Sequence, residues 1–278
     1  MKEKNHYTAL IFDVVQSRKF KDRFVLQSYL KSVVDICNTL FEGHLCKPVM
    51  FSAGDEMQGL FYSAQEAYRY FAFFSRLAYP VQLRCGIGLG ELEVFSADWM
   101  TTELDGPAYH RAREAIALCH EGQEQSVIFN SASPGDRFVN GLLGSYLLLI
   151  QALKPKTTIL YIYAEFLDSH LVPQWKDLVT LMASIEAHLK QQQLICKNTI
   201  PSYKPIFLLS LEELCFEEPD STDRDILISQ SWKRGLNGRI AQVLGIRRQY
   251  VDAVVRTNSF AQLRNFEALI VEKLQEVT

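Results

Sequence analysis

The sequence predicts an α+β protein: a small helix-covered sheet comes first and an all-helical segment closes the chain. Three observations carry this. Over residues 7–92, apolar runs alternate between strand character and helical spacing in the order β-α-β-β-α-β. Glycines and acids punctuate that order where turns fall. Past residue 222 the chain changes character, and two short helical patterns follow around a glycine.

Residues 7–15 form a β-rich apolar run that contains Asp13. Residues 22–42 place Phe24, Leu26, Tyr29, Leu30, Val33, Val34, Ile36, Cys37 and Leu40 at helical spacing, with Gly43 as a stop. Residues 46–53 and 56–62 read as hairpin strands around Gly54-Asp55. Ser63-Ala-Gln-Glu66 has the spacing of a capping box and opens a helix that runs to about residue 77. Residues 81–92 are a strand interrupted by Gly86, Gly88 and Gly90.

This is the split βαβ order of ferredoxin-like or palm domains. In that topology the first strand lies beside the third and runs parallel to the second. The hairpin tip then reaches the edge where the first strand ends. Asp13 and Asp55 become expected neighbours, although 42 positions (55 − 13) separate them.

A helix follows from about residue 105, with Asp105 or Gly106 as cap and Pro107 in its first turn. Residues 126–130 suggest a fifth strand. From 135 to about 190 the pattern is helical, broken at Pro155 and Pro173; 198–205 reads as a loop and 217–223 as a linker. The expected domains are 1–134 (sheet), 135–221 (helical connection) and 222–278 (all-α). In the last, helices over 238–245 and 246–255 have the Ala241, Gly245, Ile246 spacing of a helix-turn-helix.

Hydrophobic residues make up 48% and charged residues 22%, which calls for a packed core. The net charge of −3 is uninformative, but its distribution is not. Between 230 and 264 stand seven basic residues (Lys233, Arg234, Arg239, Arg247, Arg248, Arg256, Arg264) against Asp252 alone, a local +6. Six cysteines show no Cys-x-x-Cys spacing, the opening residues lack a signal-peptide core, and no apolar run approaches a membrane span. A reduced, cytoplasmic protein without a membrane partner is expected.

Asp13, Asp55 and Glu56 are the candidate metal ligands. Hard cations such as Mg²⁺ or Mn²⁺ take a few carboxylates plus substrate phosphates. The alternative is a pair of solvated turn acids, although a lone carboxylate inside Leu-Ile-Phe-Asp-Val-Val would be costly to bury. Gly86-Ile-Gly-Leu-Gly90 lies inside a strand, so close backbone approach or a bulge fits it better than a phosphate loop. On the helix from Pro107, His110, Arg113 and Glu114 share a face that would suit a phosphate or close on itself as ion pairs. Tyr109, Ala112 and Ile116 form its buried side. Cys119-His120 lacks a second pair at zinc spacing. In the tail, Arg247, Arg248, Gln249 and Tyr250 open the second helix and, with Arg239, are the candidate DNA contacts. Such modules also bind proteins.

Asp13-Val-Val-Gln-Ser-Arg18, Gly54-Asp-Glu-Met-Gln58, Arg84-Cys-Gly-Ile-Gly-Leu-Gly90 and Asp105-Gly-Pro-Ala-Tyr-His-Arg-Ala-Arg-Glu-Ala115, with the tail Ile-Ala-x-x-Leu-Gly-Ile, resemble the SatD-like family. The N-terminal half is also similar to class III nucleotidyl cyclases. That resemblance places Asp13 and Asp55 at the two metal-binding aspartates, His110 at a ribose-binding Asn, and Glu114 at a transition-state Arg, with Arg113 one residue early. Val49 and Phe51 occupy the region of the base-reading Lys. With the metal pair kept and the other residues changed, the resemblance implies nucleotide binding, with Arg18, Asp105, His110 and Arg113 as nucleotide contacts. The expected protein is a regulator that binds a nucleotide and DNA, with a homodimer, in the manner of helix-turn-helix proteins, as its expected form. The alternative is a two-metal nucleotidyl cyclase or transferase.

Overall fold

The computed structural model describes residues 6–20, 22–121, 125–168, 232 and 234–277. The expected break at Pro173, the loop at 198–205, the linker at 217–223, Lys233, Cys196 and Cys215 lie outside the described residues.

Five strands form one sheet in the order β2-β3-β1-β4-β5. They are β1 (Tyr7–Val14), β2 (Leu45–Ala53), β3 (Glu56–Phe61), β4 (Leu83–Gly90) and β5 (Val127–Asn130). β1 runs antiparallel to β3 and β4, β2 runs antiparallel to β3, and β5 runs parallel to β4. The first four strands thus have the ferredoxin-like arrangement that the element order predicts, and β5 extends it on the β4 side.

Both sheet faces are covered, by different helices. On one face β1 turns Leu10, Phe12 and Val14 toward α1 (Arg23–Leu40) and α2 (Ala64–Ala78), which supply Tyr29, Val33, Phe71 and Phe74 to the large core. Tyr29 donates its hydroxyl to the Leu77 carbonyl at 2.7 Å, locking α1 to the end of α2. On the other face Ala9 and Ile11 meet α3 (Pro107–Glu121) through Ala108, Tyr109, Ala112 and Ile116. This period-2 division of β1 explains its unbroken apolar run: the strand is buried on both faces.

α3 sits unusually close to the sheet because β4 presents no side chains there. A Cβ on Gly86 would lie 2.2 Å from the Ala112 carbonyl oxygen, and one on Gly88 would lie 2.2 Å from that of Ala108. The glycines serve close backbone approach, one of the two roles expected of them.

The Ser63 capping box does not form: Ser63 makes no side-chain cap, and Glu66 pairs with Arg69 at 2.8 Å and His44 at 3.3 Å. α1 ends at Leu40, before Gly43, with the fully buried Phe41 as its C-cap.

α4 (Asp136–Gln151) and α5 (Pro155–Leu167) are separated at Pro155, as expected, and are followed by α6 (Leu236–Leu244), α7 (Arg248–Thr257) and α8 (Phe260–Glu276). The C-terminal helices share the large core of the sheet through Leu236, Ile240, Val251, Phe260 and Ile270. Three buried ion pairs reinforce the attachment. Arg76 of α2 meets Glu267 of α8 at 2.5 Å, and Arg264 of α8 meets Glu165 at 2.7 Å and Asp168 at 3.0 Å. Burial opposes the charge on Arg76, but Glu267, together with Tyr146, Glu165 and Tyr161 beside it, outweighs burial and holds the guanidinium well above its ordinary pKa. No helix among the described residues is long and apolar enough to cross a membrane.

Gly88→Ala should cost about 3 kcal/mol in urea unfolding, at the upper end for overpacking. Gly141→Ala, inside α4 with nothing within 4 Å of its added methyl, should stabilise by about 0.5–1 kcal/mol. Arg76→Met alone should cost about 3–5 kcal/mol because it strands Glu267, and Arg76→Met/Glu267→Leu should recover most of that loss.

Candidate functional site

The end of β1 and the β2–β3 hairpin form one edge of the sheet. Asp13 faces the α3 side, in phase with Ala9 and Ile11. Its register partner on β4 is Arg84, whose Nε and Nη2 donate to Asp13 Oδ1 and Oδ2 at 3.0 and 3.3 Å. From the C-terminal end of α3, His120 Nε2 lies 2.9 Å from Asp13 Oδ2. Asp13 is therefore not the lone buried carboxylate that its apolar surroundings suggest. A two-pronged arginine contact and an imidazole partner it.

On the other side of Asp13 the β1–β3 ladder ends at Phe12↔Met57, so Glu56 stands one step further across. Glu56 accepts from Ser52 Oγ at 2.6 Å. In the turn, Asp55 is half-buried and follows the exposed Gly54, which adopts φ +64°, a conformation that favours glycine. Gln27 of α1 holds that turn by donating to the Gly54 carbonyl at 3.0 Å. The topology thus brings all three candidate ligands to one edge. As the side chains stand, both Asp13 oxygens serve Arg84 and His120, and no three His, Cys, Asp or Glu side chains among the described residues converge as a metal site. The donor set does not fit a divalent cation without release of those partners.

The nucleotide candidates divide between places. Asp105 Oδ1 lies 3.5 Å from His110 Nε2 and 3.8 Å from Arg113 Nη1, a half-exposed cluster at the start of α3. That is the ion-paired alternative for this helix face. Glu114 instead accepts from Asn130 of β5 at 3.0 Å. Ten residues of helix, about 15 Å, separate His110 from His120 and the Asp13 edge. Arg18 lies exposed in a 3-10 turn just after β1, nearer the Asp13 edge in the chain. On β2, Lys47 is buried; its ammonium donates to the carbonyls of Ala97 and Trp99 at 2.5 and 2.7 Å. It fastens the 97–99 loop to the edge strand.

Sequence reasoning passed over two residues here. Arg84 is found by register, since an antiparallel β4 beside β1 must place some residue opposite Asp13. His120 reads in the sequence only as half of a Cys119-His120 pair without zinc spacing. Its signal is positional: it falls one turn beyond Ile116, where α3 reaches the sheet edge. Cys119 is a core residue whose thiol burial pushes up to about 11.

In the C-terminal segment, Gly245 ends α6 at φ +61° and Ile246 donates back to the Ala241 carbonyl at 3.0 Å, closing the turn into α7. Asn237 of α6 donates to Asp252 of α7 at 2.7 Å and receives the Trp232 indole N–H at 2.9 Å. Val251 packs inward, while Ile246, Arg247, Arg248, Gln249 and Tyr250 are all exposed. Arg248 pairs with Asp252 at 3.7 Å, and Arg239 is half-buried. Arg264 belongs to the core, so the exposed basic character is smaller than the +6 of the sequence.

These features define an α+β protein of ferredoxin-like sheet topology with an ion-paired carboxylate at the sheet edge and a helical C-terminal segment packed on the same core. The model of the SatD family matches residues 7–156, more than half of the chain, and the chain belongs to that family. No curated protein matches it. Two solved structures, each described as a bacterial light-regulated adenylyl cyclase, are similar in part. One has 15% identity and TM-score 0.33, covering 45% of this chain and 74% of that one. The other has 15% identity and TM-score 0.35, covering 48% of this chain and 44% of that one.

In a double-mutant cycle, Asp13→Asn and Arg84→Met should show a coupling of about 1.5–3 kcal/mol, as befits a charged hydrogen bond shielded from water.

Proposed function

We propose that this chain is a cytoplasmic DNA-binding regulator whose contact surface is the start of α7. One observation carries the reading. The two-helix unit buries Val251 while leaving the five consecutive residues from Ile246 to Tyr250 exposed, including both arginines. A helix that projects its N-terminal turn from a tight glycine turn is the shape that enters a major groove, where Arg reads guanine or phosphate and Gln reads adenine. Arg239 on α6 would contact the backbone beside it. As a homodimer the protein would address two half-sites.

A second reading concerns the sheet edge: Asp13, Asp55 and Glu56 would take a Mg²⁺ or Mn²⁺ ion and, with it, a nucleotide. The placement of Asp13 and Glu56 at adjacent strand ends favours it. Arg84 and His120 must then leave Asp13, and both would become available to phosphate oxygens. The more distant Asp105, His110 and Arg113 would meet only the far end of such a ligand.

In fluorescence anisotropy with duplex DNA, binding should weaken steeply with salt. Arg247→Ala/Arg248→Ala should lower the affinity and reduce the log K against log salt slope by about 1.8, the loss of two phosphate contacts. An unchanged slope, or no salt-dependent affinity in the wild type, would reject the DNA reading. For the sheet edge, Mn²⁺ binding measured by electron paramagnetic resonance, with nucleoside triphosphate present, should vanish in Asp13→Ala/Asp55→Ala. A saturating ligand at about 100 times its Kd should stabilise the wild type by about 2.7 kcal/mol.

A further inference from the structure

We propose that the cavity between α2, α4, α5 and the adjoining ends of β4 and β5 binds a small, uncharged, largely apolar molecule that offers one carbonyl oxygen to Arg76. The cavity measures about 920 Å³, within the range of small-molecule sites. Phe71, Val127, Leu143, Ile150 and Ile162 give it apolar walls, and the hydroxyls of Tyr146 and Tyr161 meet there at 3.3 Å.

One polar group in this wall is left unused. Arg76 is 8% exposed, and its Nη2 is taken by Glu267 at 2.5 Å and the Tyr146 hydroxyl at 3.2 Å. Its Nη1 is buried without any hydrogen-bond partner. The Tyr161 ring, 5.8 Å from the guanidinium carbon, holds the group in place. An arginine donor is normally satisfied when buried. An unpaired one in the wall of a cavity of this size marks where an acceptor belongs.

Charge decides the kind of acceptor. Glu267 already neutralises Arg76, so a ligand carboxylate or phosphate would leave net negative charge in a desolvated site. A ketone, ester or amide oxygen satisfies Nη1 and preserves the balance. The apolar walls then take the body of the molecule. The other end of the cavity opens toward Arg84 and His120, the partners of Asp13. This site stands independently of the DNA-binding reading. If both hold, the ligand acts beside the Arg76–Glu267 pair that fastens α8.

The test is titration of the full chain with prodan (6-propionyl-2-dimethylaminonaphthalene), a neutral naphthalene bearing one ketone. Emission should shift to the blue and saturate at one probe per chain. Ala72→Phe, on the α2 wall, should weaken binding at least tenfold by filling the cavity. Thr158→Trp, on the half-buried α5 wall, serves if that variant fails to fold. Arg76→Met/Glu267→Leu, which removes the donor without stranding a charge, should also weaken it at least tenfold. The anionic probe 1-anilinonaphthalene-8-sulfonate should bind at least tenfold less tightly than prodan. No saturable prodan signal, equal affinity in the filled variant, equal affinity in the Arg76 double variant, or tighter binding of the sulfonate would each overturn the proposal.

Discussion

The packing of α3 directly onto the backbone of β4 is the constraint on which the rest of the arrangement depends. Gly86, Gly88 and Gly90 fall on one face of the strand, and the helix fills the space that three Cβ atoms would occupy. An ordinary helix rests on a layer of side chains; this one rests on peptide groups. Arg111 adds to the clamp by donating to the Leu89 carbonyl at 2.6 Å. With its distance and register fixed, α3 delivers two polar clusters. His120 at its end reaches Asp13, and Asp105, His110 and Arg113 gather at its start. A side chain at Gly88 would disturb both ends together, because the helix moves as a rod.

The C-terminal helices are held by different physics. α8 lies against α2 and α4 with an apolar seam, but it also buries Arg264 and Glu267, each facing charges from other elements. Buried pairs of this kind gain little net stability over apolar substitutes, since desolvation cancels most of the attraction. Their effect is on geometry. A purely apolar seam tolerates a helix sliding by a residue; a guanidinium that must meet Glu165 and Asp168 does not. The orientation of α8 relative to the sheet is therefore specified, and α6 and α7, tied to each other through Asn237 and Asp252, inherit it.

Much of the sheet was legible because a strand buried on two faces and a split βαβ order leave few topologies. The neighbourhood of Asp13 and the hairpin followed from that order alone. What could not be read was the partner set of Asp13. Arg84 lies 71 positions away and His120 comes from an element whose docking depends on the glycine face. Propensity and spacing describe one element at a time, whereas an ion pair depends on where two elements end up. Glu66, expected in a cap, instead meets His44 from another segment as well as Arg69 on its own helix. Arg264 shows the reverse error, since a basic residue in a basic run reads as surface until Glu165 and Asp168 are seen around it.

The Asp13 edge and the Arg76 cavity are linked by the molecule's own construction. Arg84 and His120 bind Asp13 from one side and stand at the end of the cavity on the other. A cation drawn to Asp13 must displace two positive or potentially positive groups, and those groups then have to find new acceptors. A ligand can bias such an exchange only by the difference between its affinities for the two arrangements; equal affinity shifts nothing, however tight. A molecule satisfied by Arg76 alone would stabilise the fold without touching Asp13. One long enough to reach Arg84 as well would favour the arrangement in which Asp13 is released. Ligand length, more than affinity, therefore decides whether the cavity and the carboxylate edge behave as one site or two.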